Sequence, residues 1–135
     1  VAEIVRVSSL DNVLLGNWSG SGDMQGDETF CVYSNNDSAG YTIDFSSPNK
    51  SGNVFRLGND TLTEFVEYDL VFADSALGTG TAVGRRTVSG TGSNSAADCG
   101  SVDNARISVN VSAASLGAAT PDSYSDTITL LVAPL

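Results

Sequence analysis

Tyr124–Ser125–Asp126–Thr127–Ile128–Thr129–Leu130–Leu131–Val132–Ala133 reads as one strand. Tyr124, Ile128, Leu130 and Val132 fall on one face, with Asp126 as the polar exception. Ser125, Thr127, Thr129, Leu131 and Ala133 fall on the other. Period-two alternation and β-branched side chains both favour a pleated, half-buried segment. Pro134 follows and is expected to stop the ladder, because proline has no N–H to give. A strand this apolar needs a neighbour on each flank and a facing layer, since an uncovered edge of this kind is adhesive. The source of its second neighbour is therefore the central question about function.

Working backwards, the same grammar recurs. Ala105, Ile107, Val109 and Val111 alternate with Arg106, Ser108 and Asn110. Val66, Tyr68, Leu70 and Phe72 alternate with Phe65, Glu67, Asp69 and Val71 inside a strand region expected over residues 61–74. Tyr41, Ile43 and Phe45 alternate with Thr42, Asp44 and Ser46, and shorter strands are expected at 29–33, 53–57 and 82–88. Turn-forming clusters separate them, among them Ser34–Gly40, Ser47–Gly52 and Gly58–Asp60. Residues 113–120 are small and read as loop with one helical turn. The pattern is an all-β, immunoglobulin-like antiparallel β-sandwich, because such short polar connections cannot hold crossover helices. At the other end of the chain, Val1, Val5 and Val7 share one face, interrupted by Glu3, while Ala2, Ile4 and Arg6 share the other. Ser8–Ser9 and Asp11–Asn12 uncouple this stretch from a second apolar cluster, Leu10 and Val13–Leu15. The organisation expected is an extension over 1–9 and a sandwich over 10–135.

The charge balance excludes whole classes. Lys and Arg total 6 against 16 Asp and Glu, a net charge of -10. That disfavours nucleic acid and anionic membranes as partners, both of which require basic patches. The absence of His removes imidazole catalysis and His-ligated metals, and no apolar run reaches the roughly 20 residues of a membrane span. The chain begins with Val, which reads as a processed or trimmed form. Cys31 and Cys99, 68 positions apart, are expected to form a disulfide in an oxidising compartment, with two buried free thiols as the alternative. Closing so long a loop stabilises by roughly 4 kcal/mol on the chain-entropy account.

Other groups have a functional reading and a plainer one. Asp23, Asp27 and Glu28, or Glu64, Glu67 and Asp69, could supply paired acids, and Asp23, Asp27 and Glu28, or Asn59 and Asp60, could supply calcium ligands without regular spacing. Glu67 and Asp69 nevertheless alternate with apolar residues and read more simply as a solvent face, so no catalytic residue, metal or cofactor is assigned. Arg85–Arg86 could bind an anion, or pair with one of the many acids. Trp18, in a Gly/Ser loop, could stack on a sugar or plug the end of the sandwich, and the second reading is preferred. Asn17, Asn36, Asn49, Asn59 and Asn110 head Asn-x-Ser/Thr triplets, which such a composition produces by chance.

Phe30–Cys31–Val32–Tyr33–Ser34, Tyr41–Thr42–Ile43, Tyr68–Asp69–Leu70–Val71–Phe72, Tyr124–Ser125–Asp126–Thr127–Ile128–Thr129–Leu130 and the Leu14–Leu15–Gly16–Asn17–Trp18 turn together resemble the spore coat protein U domain. That family includes the pilin subunits of archaic chaperone–usher pili. Its members often carry a Cys soon after the first strand, which this chain lacks, so the disulfide rests on its own argument. The resemblance implies a secreted bacterial sandwich that lacks one strand and is completed by the N-terminal extension of the next subunit. Val1, Ile4, Val5 and Val7 would then form the donor strand, leaving their own domain, with Val5 and Val7 filling the groove and Ile4 next if the register slips. Ile128, Leu130 and Val132 would line the accepting side. Partners would be copies of the chain itself, joined head to tail, with a periplasmic chaperone and an usher. The alternative is a monomeric, secreted carbohydrate-binding sandwich with Trp18 in its platform and residues 1–7 as a strand of its own fold.

Overall fold

The computed structural model describes residues 4–8, 10–36, 38–52, 54–75, 88–134 and the backbone of 81–83. Ten strands follow in order: β1 (Val5–Ser8), β2 (Met24–Ser34), β3 (Gly40–Ser46), β4 (Phe55–Asn59), β5 (Phe65–Ala73), β6 (Thr81–Val83), β7 (Val88–Thr91), β8 (Ala105–Val111), β9 (Tyr124–Ser125) and β10 (Thr129–Pro134). A single short helix, α1 (Ala113–Ala118), lies between β8 and β9. Its N-cap is Ser112, whose hydroxyl accepts from Ser115 N–H. The larger sheet runs β1-β2-β8-β5-β4-β9, with β6 beside β5, and the smaller runs β10-β3-β7. Every strand pairing is antiparallel.

The two sheets face each other across the side chains that alternation placed inward. Phe30 and Val32 come from β2, Tyr41, Ile43 and Phe45 from β3, Val66, Tyr68, Leu70 and Phe72 from β5, and Ala105, Ile107, Val109 and Val111 from β8. Phe72 sits at their centre, its ring 6.1 to 6.4 Å from those of Phe30, Tyr41 and Phe45. Cys31 and Cys99 are bonded, tying the loop before β8 to the outer side of β2.

Three differences from the sequence reading bear on the site. β2 begins at Met24 rather than Thr29, because β8 pairs with it from Met24 to Phe30 and carries Asp27 and Glu28 into the ladder. The expected closing strand is two strands: β9 pairs with β4 in the larger sheet, and β10 pairs with β3 in the smaller. The break falls at Asp126, whose carboxylate accepts from Ser47 Oγ at 2.5 Å, Tyr68 Oη at 2.5 Å and its neighbour Thr127 N at 2.9 Å. These bonds draw the chain across the sandwich instead of along it. Pro134 stays in register opposite Tyr41, so the ladder runs through it to the last described residue.

The third difference concerns the N-terminal extension. Val5–Ser8 is antiparallel to Ser34–Cys31 of its own β2. Asn35 reinforces the pairing, its side chain accepting from Ile4 N at 2.8 Å and its own N–H reaching Ile4 O at 3.0 Å. In the single chain Val5–Val7 therefore lie on their own β2, whereas the expected donation concerns a second copy. The physical reason is that the end of β2 offers a free row of backbone groups beside the core, and Val7 packs against that core.

Candidate functional site

The candidate site follows from the position of β10. Among the described residues it pairs with β3 on one side only, and Thr129–Pro134 contains no charge to discourage a partner. β1 comes close to β10. Beside the N-terminal half lies an open groove of about 530 Å³. Ile128 and Leu130 form one wall, Leu10–Leu15 the other, and Leu57, Tyr68, Ile107 and Val109 the floor. The floor residues belong to the central sheet, so the groove opens directly onto the hydrophobic core.

The wall formed by Leu10–Leu15 belongs to no strand. Val13 and Leu15 turn inward and are half-buried, while Leu14 is 85% exposed. Gly26 makes this approach possible, since a Cβ there would lie 2.8 Å from Val13 Cγ1. The side chains thus alternate as in a strand, without a strand's ladder.

Polar groups interrupt the apolar lining, among them Asp11, Asn12, Asp126 and Tyr68. Asp126 and Tyr68 both face the groove. Among the described residues no cation pairs with the Asp126 carboxylate, which is held by the neutral donors named above. Burial first, and then the hydrogen bond to Asp126 and its charge, push the Tyr68 phenol well above its ordinary value.

Of the residues expected to accept a strand, Ile128 and Leu130 line the groove. Val132 does not; it lies opposite Ile43, packed on the core. Of the expected donor residues, Ile4 is 54% exposed, Val5 and Val7 are half-buried on β1, and Val1 lies outside the described residues.

No family model matches the sequence, and no curated protein matches it. Among solved structures it is similar to a chain from a chaperone–tip adhesin complex of CFA/I fimbriae biogenesis. The match covers 97% of this chain and 41% of that one, with a TM-score of 0.67 at 19% identity. The likeness establishes the fold, and this chain spans less than half the length of its neighbour.

The remaining candidates take structural places. Trp18 is half-buried, its indole N–H donates to Gly22 O at 2.9 Å, and its ring lies 3.8 Å from where a Cβ on Gly117 would stand. Asp27 pairs with Arg106 at 3.6 Å, and Asp23 accepts from Ala113 N at the start of α1. Glu67 and Asp69 are exposed on β5. Among the described residues no group of three or more acids or cysteines is gathered as a metal requires, and no helix is long and apolar enough to cross a membrane. Arg85–Arg86 lies outside the described residues. Asn59 is buried, and its side chain serves Thr63, Glu64 and Asp122, so its triplet is closed to modification in the folded chain.

Proposed function

We propose that this chain is a structural subunit of an extracellular bacterial filament, polymerised when a neighbouring copy's strand enters the groove beside β10. One observation carries the reading: β10 has an unpaired, uncharged edge directly above an apolar groove that opens onto the core. A strand laid there would complete the smaller sheet with backbone bonds and bury its alternate side chains, which is β-augmentation. The likeness to a chain of a fimbrial assembly supports it, as do the strand patterns shared with the spore coat protein U domain. The donor is the Val1–Val7 stretch of the next copy, and the contact is head to tail, so it extends as a fibre rather than closing.

Donation exchanges the β1–β2 ladder for one on the neighbour's β10, with little net change in backbone bonding. One local cost of β1 in its own domain favours the exchange: Ser8 Oγ is buried with no partner among the described residues. Export through the periplasm with a chaperone and usher, and a location at the cell surface, follow from this reading. No catalytic role is proposed.

The test is electron microscopy of natively purified material, alongside an Ile128→Lys/Leu130→Lys variant. The native chain is expected to form filaments of high mass. The variant is expected to retain its β circular dichroism and disulfide but remain monomeric. Filaments from the variant, or a native chain that is only monomeric and binds no added N-terminal peptide, would overturn the proposal.

A further inference from the structure

The smaller sheet has a second face, turned to solvent. Along β10, Leu130 and Val132 point inward while Thr129, Leu131 and Ala133 point outward. On β3, Thr42 and Ser46 flank Asp44 on the outer side, and β7 adds Ser89. Among the described residues every outward side chain of this sheet is small or charged except Leu131, which lies opposite Asp44 and is 67% exposed. A single exposed leucine needs no explanation by itself. Its place gives it one, because it stands on the edge strand that a second copy is proposed to join. The joining stretch has a matching residue. In the single chain Val5 and Val7 turn inward on β1, while Arg6 and the preceding Ile4 are exposed. The N-terminal stretch therefore has an outer face as well as an inner one, and among the described residues Ile4 is the large apolar side chain on it.

We propose that Ile4 of the entering copy packs on Leu131 of the accepting copy, on the solvent side of the smaller sheet, so that the entering strand is held by both of its faces. This rests on the donor-strand reading above and deepens it. Ladder geometry carries the contact. An added strand lies about 4.8 Å from β10, and side chains on the same face of neighbouring strands meet directly or on the diagonal. With Val5 against Leu130 on the inner side, Ile4 falls directly opposite Leu131 if the strands are antiparallel and diagonal to it if they are parallel. The contact therefore holds for either direction of entry. Two side chains that are exposed in the single chain cover each other only in the assembled pair. Charge points the same way. A chain of net charge -10 repels its own copies in general. Among the described residues the outer face of the smaller sheet carries one charge, that of Asp44, and the outer face of the entering stretch carries one of opposite sign, that of Arg6. A second copy thus meets an apolar contact on this face without like-charge repulsion beside it.

The experiment measures binding of a fluorescent peptide of residues 1–10 to the monomeric fraction of the full chain by anisotropy. Threonine replaces each residue, because it favours strands while removing apolar bulk. Ile4→Thr in the peptide, or Leu131→Thr in the chain, is expected to weaken binding about threefold to fivefold, as loss of a cross-strand pair does. The two together are expected to weaken it no more than either alone, because the partners are coupled. Val5→Asp in the peptide is the control for the groove and is expected to abolish binding. Leu131 is exposed in the free chain, so its variant should keep its circular dichroism; if it does not, the Ile4→Thr peptide decides alone. Loss of binding with Val5→Asp while Ile4→Thr is silent overturns the outer-face contact and leaves donor-strand entry standing. Losses that add in the combination overturn the pairing of these two residues. A Leu131→Thr chain that binds the peptide unchanged, but whose filaments bundle less than native ones, overturns the proposal and assigns Leu131 to contacts between filaments. No binding by the native peptide, or binding that Val5→Asp leaves intact, defeats the donor-strand reading itself, and this contact with it.

Discussion

Two tyrosines cross the interior of this sandwich to reach carboxylates, and their surroundings could hardly differ more. Tyr41 is fully buried and donates to Asp74 at 2.8 Å, while the other oxygen of Asp74 receives Thr91 N at 2.9 Å. The ring itself is closely packed. Gly90 lies so near that a Cβ would stand 2.5 Å from the Tyr41 oxygen. Ser93 bridges to β2 through two backbone bonds, β1 comes close to β10, and the Cys31–Cys99 disulfide pins the neighbouring loop. Tyr68 makes the same kind of bond, to Asp126, but looks into the groove. The hydrogen bonds are equivalent in type, so they cannot be what closes one end and opens the other. Backbone coverage decides. β1 pairs with β2 and comes close to β10, whereas at the Tyr68 end the chain continues as Leu10–Leu15, which alternates like a strand but, among the described residues, bonds to neither sheet.

If coverage holds the first end shut, loosening it should cost far more than any change at the groove. The largest effect is expected from Cys31→Ala/Cys99→Ala. Opening a 68-residue loop should remove about 4 kcal/mol, read from the guanidinium midpoint. Gly90→Ala comes next. The added methyl must displace the buried Tyr41 ring or Asp74, and a loss of about 1–3 kcal/mol is expected in the same assay. In both variants a chain that still folds should keep its affinity for an N-terminal peptide, because the groove lies at the other end. Loss of peptide binding at unchanged stability would show that the two ends are coupled.

The sequence made one side of this comparison easy to read. Alternation in 41–45, 65–72, 105–111 and 128–132 placed the inner faces correctly, because those strands are half-buried and each local pattern reports one face. The two cysteines paired as their isolation suggested. What could not be read was long-range pairing. Val5 and Val7 look equally suited to an own-chain edge and to a neighbour's groove, and only the free end of β2 settles where they lie in one chain. The groove floor was also missed. Leu57, Tyr68, Ile107 and Val109 look like any other core positions, and nothing local marks them as uncovered. The signal available was Asp126, the single polar residue on the inner face of the final stretch. It ended a strand and bonded Tyr68 and Ser47.

A smaller pair of substitutions sharpens the contrast. Tyr68→Phe removes one of three donors from a half-buried carboxylate and is expected to cost about 1–2 kcal/mol, the range for bonds to charged groups. Tyr41→Phe leaves Asp74, which is exposed and still receives Thr91 N, and should cost nearer 1 kcal/mol. Only the Tyr68 variant should also alter peptide affinity. An equal effect of both on peptide binding would mean that the groove end is not special.

The smallest expected effect is a pH dependence, and its sign follows from the same two bonds. Burial first, then the hydrogen bond and charge of Asp74 or Asp126, raises each phenol well above the ordinary value near 10. Below that value both the folded and the unfolded chain keep the proton, and pH has no effect through these groups. As pH rises past about 10 the unfolded chain releases its phenolic protons while the folded chain holds them. The unfolded state then binds fewer protons, so stability falls. At pH 10.5 the loss should be under about 1 kcal/mol for each phenol, and it should steepen with each further increment of pH. Urea midpoints taken between pH 8 and 10.5 check it, with Tyr41→Phe and Tyr68→Phe each removing part of the slope. A slope that survives in the double variant would belong to other groups. If only Tyr41→Phe reduces it, solvent entering the groove already lets the folded chain release the Tyr68 proton, and the open end would then be wetter than its apolar walls suggest.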